Sequence, residues 1–158
     1  MEKIASFKVD HLRLLPGLYV SRKDKFGGTT LTTFDMRFKQ PNREPVMDMP
    51  AIHTLEHLAA TFLRSRPGWA ERTVYFGPMG CRTGFYVILE GDHSSGSVLP
   101  LVLEMLDWID KFDGPIPGAH PAECGNYSEQ NLNMAKWEAA RYAGLLKKAA
   151  KENLNYPA

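Results

Sequence analysis

Hydrophobic and polar residues alternate along this chain with two different periods. Over residues 29–38 the period is two: Leu31, Thr33, Asp35 and Arg37 interleave with Thr32, Phe34, Met36 and Phe38. That alternation predicts a strand whose Phe34, Met36 and Phe38 face a core. A shorter strand is predicted at residues 18–22. The turn residues Asp24-Lys25-Phe26-Gly27-Gly28 lie between the two, so the pair reads as a hairpin. Over residues 49–66 the period becomes helical, with Ile52, Leu55, Leu58, Ala59, Phe62 and Leu63 on one side. Asp48 followed by Pro50 marks the start of this helix, and Pro67-Gly68 marks its end. Two more strands are predicted at 73–76 and 85–89, joined through residues 77–84. Helices are predicted at 97–112 and from Ser128 or Glu129 to Lys151, with a Pro/Gly-rich loop over 113–125 between them. Strands occur as hairpin-like neighbours, and helices fall between and after them. The expectation is an α+β fold: a single domain over 1–158 with a mainly antiparallel sheet and helices packed on one face.

Composition narrows the class. A chain of 158 residues can bury one core without staples, and 44% hydrophobic with 23% charged residues is the balance of a globular protein. Nineteen basic against eighteen acidic side chains leave a formal charge of +1, which argues against a general nucleic-acid binder. No apolar run approaches the roughly 20 residues that span a bilayer. The opening Met-Glu-Lys-Ile-Ala-Ser-Phe-Lys has no apolar signal core, so a cytoplasmic location is expected, with no membrane partner. Cys81 and Cys124 are too few for a disulfide framework and are expected as free thiols.

The chemistry concentrates in His53-Thr54-Leu55-Glu56-His57, inside the best helix of the chain. At 3.6 residues per turn, His53 and His57 lie roughly 40° apart around the axis and one turn apart along it. Two imidazoles so placed can converge on one metal ion, with Glu56 flanking it as a general base. His-x-x-Glu-His is also the pattern of the inverted zincins, so metal-dependent peptide hydrolysis is one hypothesis. A third ligand would come from His11, His93, His120, Cys81 or Cys124. Cys124, on the stiff loop Pro121-Ala122-Glu123-Cys124-Gly125-Asn126, would complete a three-ligand site with an open position, or else serve as a small buried hydrophobe. A structural zinc domain would close the shell with a fourth ligand, such as Cys81 or His11. Cys81, flanked by Gly80 and by Arg82-Thr83-Gly84 at a turn between strands, reads as either a reactive thiol or a packed residue.

Taken in order, His53-Thr54-Leu55-Glu56-His57, Pro78-Met79-Gly80-Cys81-Arg82-Thr83-Gly84 and Cys124-Gly125 resemble the S-ribosylhomocysteine lyase (LuxS) family of autoinducer-2 synthesis. Ser6-Phe7, Asp10-His11, Phe34-Asp35-Met36-Arg37-Phe38 and Gln40-Pro41-Asn42 extend the resemblance over nearly the whole chain. The resemblance implies a divalent metal held by His53, His57 and Cys124, physiologically Fe²⁺ and replaceable by Zn²⁺ or Co²⁺. It implies acid/base roles for Glu56 and Cys81, and a substrate pocket lined by Ser6, His11 and Arg37. It further implies a homodimer with its active sites at the subunit interface, and a helix-covered antiparallel sheet. The implied reaction splits S-ribosylhomocysteine into homocysteine and 4,5-dihydroxy-2,3-pentanedione. Two positions depart from the family pattern. An acidic residue is usual where Tyr75 stands, and a histidine where Gln130 stands.

Overall fold

The computed structural model describes residues 1–157. Its four strands are β1 (Gly17–Phe26), β2 (Thr29–Arg37), β3 (Thr73–Pro78) and β4 (Gly84–Glu90). They form one antiparallel sheet in the order β1-β2-β4-β3. A short helix α1 (Ala5–Lys8) precedes the sheet. The long helices α2 (Met49–Ser65), α3 (Ser95–Lys111) and α4 (Leu132–Leu146) cover one face of it. This is the expected α+β architecture.

The helix-covered face holds the core. Phe34, Met36 and Phe38 are buried there, as the period-two pattern predicts, together with Phe85, Val87 and Leu89 of β4. They meet Leu55 and Leu58 of α2, Met105 and Leu106 of α3, and Ala139 and Tyr142 of α4. Phe38 stacks on Tyr142 with ring centres 4.0 Å apart and meets Phe85 edge-on at 5.3 Å. Gly84 is required where β4 begins, because a Cβ there would lie 2.2 Å from the Met36 carbonyl oxygen.

Several boundaries differ from the sequence reading, each for a physical reason. β1 runs on to Phe26, so the hairpin turn is Gly27-Gly28 alone, with Gly27 at φ 60°. The second half of β1 is a polar, solvent-facing edge that carries no apolar alternation. α3 starts earlier than expected, because Ser94 and Ser97 form a reciprocal cap. α4 is shorter than expected at both ends. Asn131 caps it by accepting from the Met134 amide, and beyond Leu146 the Lys-Lys-Ala-Ala run has no apolar face to pack. Lys151 therefore lies in a separate 3₁₀ turn (Lys151–Asn153) rather than at the helix end.

The second face of the sheet is also covered, around Asp35 and Arg37. These two residues are 1% and 3% exposed, although the alternation places them opposite the core. The cover comes partly from the C-terminal segment, whose Tyr156 stacks on Tyr19 of β1 at 4.8 Å.

Leu106 sits at the centre of the helix layer with 1% exposure. Leu106→Ala is expected to cost about 2–5 kcal/mol of stability, read by denaturant unfolding.

Candidate metal centre and acid/base groups

α2 carries the site because its two faces do different work. Ile52, Leu55, Leu58, Ala59 and Leu63 anchor one face in the core. Asp48 caps the first turn by accepting from the Ala51 amide at 3.2 Å. The other face then holds His53, Glu56 and His57 at the rim of an open cleft. The two imidazole rings stand 4.6 Å apart, nearly perpendicular.

Each imidazole is oriented by a backbone carbonyl. His53 Nδ1 lies 2.9 Å from Glu129 O, and His57 Nδ1 lies 2.7 Å from Pro117 O. A carbonyl only accepts, so both Nδ1 atoms carry a hydrogen, and the tautomer this selects leaves Nε2 as the ring atom available to a ligand. Gly118 follows Pro117 at φ 73°, and a Cβ there would approach His57 Nδ1 to 3.0 Å. A glycine is thus needed both for the turn and for the loop to close onto the ring.

Cys124 reaches the cleft from a turn in which the His120 carbonyl accepts from the Glu123 and Cys124 amides. Its Sγ lies 3.4 Å from His53 Nε2. One donor atom from each of His53, His57 and Cys124 falls within 4.8 Å of the others. Two imidazole nitrogens and one thiol sulfur at this spacing fit a divalent transition metal. Among the described residues neither Cys81 nor His11 joins this group. Glu56 lines the same cleft without belonging to the donor set.

Two residues with no role in the motif itself hold this centre together. Thr54, fully buried, donates to Gln130 Oε1 at 2.8 Å and accepts from the Asn131 amide at 2.9 Å. The Gln130 amide nitrogen lies 3.3 Å from His53 Nδ1. Gln130, one of the two departures noted in the sequence, therefore sits against the His53 ring and ties α2 to the start of α4.

Cys81 belongs to a second cluster. Its turn is fixed by Arg82 at φ 61°, by the Met79 amide donating to Gly84 O, and by the Phe38 and Lys39 amides donating to Thr83 O. The thiol is exposed, 3.1 Å from Thr83 Oγ1. Arg37 Nη1 donates to that hydroxyl at 2.7 Å and lies 3.9 Å from the sulfur. Arg37 is locked in turn by Asp35 through two parallel contacts, Nε to Oδ1 at 3.1 Å and Nη2 to Oδ2 at 2.6 Å. Burial works against the guanidinium charge, but Asp35 outweighs it and raises the Arg37 pKa.

The remaining expected pocket residues lie elsewhere. Ser6 lines a cavity on the outer sheet face with Ser21, Thr33, Tyr75 and Tyr86. His11 Nδ1 turns back to the Val9 carbonyl at 2.8 Å. Cys81, Arg37, Ser6 and His11 are not among the walls of the cleft that holds His53, His57, Cys124 and Glu56.

Comparison with known proteins covers the whole of this arrangement. The family model for S-ribosylhomocysteinase (LuxS) matches residues 4–153. The S-ribosylhomocysteine lyase of Clostridium acetobutylicum is 56% identical over 157 residues, covering 99% of each chain. Proteins of the same name from Porphyromonas gingivalis and Phocaeicola vulgatus are 54% and 52% identical over 158 residues. Both alignments cover 99% of this chain, with 99% and 98% of those relatives.

The two clusters predict opposite behaviour for the two cysteines. Cys124→Ala is expected to purify without bound metal, whereas Cys81→Ala is expected to retain it, as measured by elemental analysis of the folded proteins. Unchanged metal in the Cys124 variant would remove that thiol from the donor set.

Proposed function

The chain belongs to the S-ribosylhomocysteinase (LuxS) family, and on that premise we propose that it is a metal-dependent carbon–sulfur lyase. It cleaves S-ribosylhomocysteine to homocysteine and 4,5-dihydroxy-2,3-pentanedione, the precursor of autoinducer-2. The observation that carries this reading is the donor set of His53, His57 and Cys124 with Glu56 at its edge, in a chain matched nearly end to end.

The substrate dictates what the residues must do. Its C5–S bond cannot break directly, because no adjacent carbanion is stabilised. Opening of the ribose gives an aldehyde at C1. Moving a proton from C2 to C1, and then from C3 to C2, shifts the carbonyl to C3. A C3 carbonyl acidifies the C4 hydrogen, and loss of that proton expels homocysteine from C5 by β-elimination. The atoms balance with no external oxidant or reductant, so no organic cofactor is needed.

His53, His57 and Cys124 would hold the divalent metal. When bound, that ion supplies a Lewis acid for the substrate's carbonyl and hydroxyl oxygens. The mixed imidazole–thiolate set suits Fe²⁺, with Zn²⁺ or Co²⁺ as substitutes. Cys81 takes and returns the protons of the two carbonyl shifts, with the Arg37 guanidinium beside its sulfur. Glu56 serves the later transfers, including removal of the C4 proton. Ser6, His11 and Arg37 bind the substrate.

A homodimer reconciles these roles with the separation of the residues in one chain. The cleft with the donor set lacks Cys81, Arg37, Ser6 and His11, and a second copy is the means of bringing the two groups together. The apolar residues near the N-terminus support this. Ile4, Phe7 and Leu12 are 59%, 69% and 73% exposed in the single chain. No helix among the described residues is long and apolar enough to cross a membrane. A cytoplasmic location is the reading supported by two free thiols and a substrate derived from the methylation cycle.

The test is anaerobic: purified metal-loaded protein, S-ribosylhomocysteine, and a thiol reagent that reads homocysteine. Wild type is expected to release thiol only with metal present. Glu56→Gln is expected to keep fold and metal and to lose release by roughly 10²-fold or more, the usual weight of a general base. Undiminished release by that variant would assign the base elsewhere.

A further inference from the structure

The C-terminal segment reaches back across the sheet to the pair that faces Cys81. The 3₁₀ turn at Lys151–Asn153 is pinned to the start of β1, where Asn153 Nδ2 donates to Pro16 O at 2.9 Å and Tyr19 OH donates to Glu152 O at 3.1 Å. The fit is close. A Cβ at Gly17 would lie 2.1 Å from the Asn153 carbonyl oxygen. Three residues further on, Tyr156 stacks on Tyr19 with ring centres 4.8 Å apart and planes 17° from parallel. Its hydroxyl donates to Asp35 Oδ2 at 2.9 Å.

Asp35 Oδ2 is the oxygen that also holds Arg37 Nη2. The contacts therefore form one line across 121 positions of sequence, from Tyr156 OH to the Asp35 carboxylate, the Arg37 guanidinium, and the Thr83 hydroxyl and Cys81 sulfur. A guanidinium is planar, so fixing its Nε and Nη2 on one carboxylate fixes the direction of Nη1 as well. The Asp35 and Arg37 side chains are 1% and 4% exposed, so water does not compete for these contacts. Burial and the nearby Asp35 carboxylate both push the Tyr156 phenol pKa upward, which keeps the hydroxyl a donor.

We propose that Tyr156 is a positioning residue for the lyase reaction. It holds the Asp35 carboxylate from the C-terminal segment, and Asp35 in turn keeps the Nη1 edge of Arg37 directed at the Cys81 thiol. The consequence for turnover rests on the lyase reading. The consequence for thiol reactivity does not.

The experiment compares wild type, Tyr156→Phe, Arg37→Lys and the double variant in the full-length metal-loaded protein. Two quantities are measured: alkylation of Cys81 by iodoacetamide, followed by peptide mass spectrometry, and homocysteine release. Tyr156→Phe keeps the ring stacked on Tyr19 and removes only the hydroxyl, so fold and melting temperature serve as controls. Cys81 alkylation is expected to slow by roughly three- to tenfold as the guanidinium edge is freed. The kcat is expected to fall with it. In the Arg37→Lys background, where no planar fork remains to be aimed, Tyr156→Phe is expected to change neither quantity further. Unchanged alkylation in Tyr156→Phe, or an equal loss in the Arg37→Lys background, would overturn the proposal. If wild type releases no homocysteine, the lyase reading fails while the alkylation comparison still decides the role of Tyr156.

Discussion

Two hydrogen bonds from imidazole Nδ1 atoms to backbone carbonyls set the terms for the rest of the site. His53 to Glu129 and His57 to Pro117 select the tautomer in which both Nε2 atoms are free to ligate. They also join two stretches distant in sequence, since α2 supplies the rings and the connection between α3 and α4 supplies both carbonyls. Cys124 lies between Pro117 and Glu129 in that connection and is carried to the rings with them. The convergence of the three donor atoms is thus a product of tertiary packing. Thr54, buried under the same helix, bonds both Gln130 and the Asn131 amide, so α2 and α4 cannot shift apart without disturbing His53.

A second constraint operates on the opposite face of the sheet. An ion pair as buried as Asp35 and Arg37 is costly to desolvate, and breaking one by removing a partner typically costs about 3–5 kcal/mol. Such a pair contributes direction more than stability. Its fork aims one guanidinium edge at Thr83 and Cys81, and the C-terminal tyrosine closes over it. The donor cleft and this polar line occupy separate places in the single chain. The proposed reaction, which uses both a Lewis acid and a thiol proton, asks a second copy to join them.

Much of this was legible in the sequence because it rests on local periodicity. The helical repeat of α2 placed His53, Glu56 and His57 together at one rim, and the alternation of β2 placed Phe34, Met36 and Phe38 in the core. What escaped depends on partners far away in the chain. β1 was read short because its distal half is a solvated edge with no apolar signal. Alternation set Asp35 and Arg37 opposite the core, but nothing local announces that Tyr19 and Tyr156 cover Asp35. Gln130 stood out only as a departure from a family pattern. Its contacts show an amide against His53 where that pattern has a ring.

The proposed metal centre has three protein ligands and an open position. X-ray absorption at the metal edge of the zinc- or cobalt-loaded protein tests it most directly. The account predicts one sulfur at about 2.3 Å and two imidazole nitrogens at about 2.0–2.1 Å, with a light-atom ligand that exchanges when substrate is added. A second sulfur, or a shell without sulfur, would contradict the assignment of His53, His57 and Cys124 as the complete protein donor set.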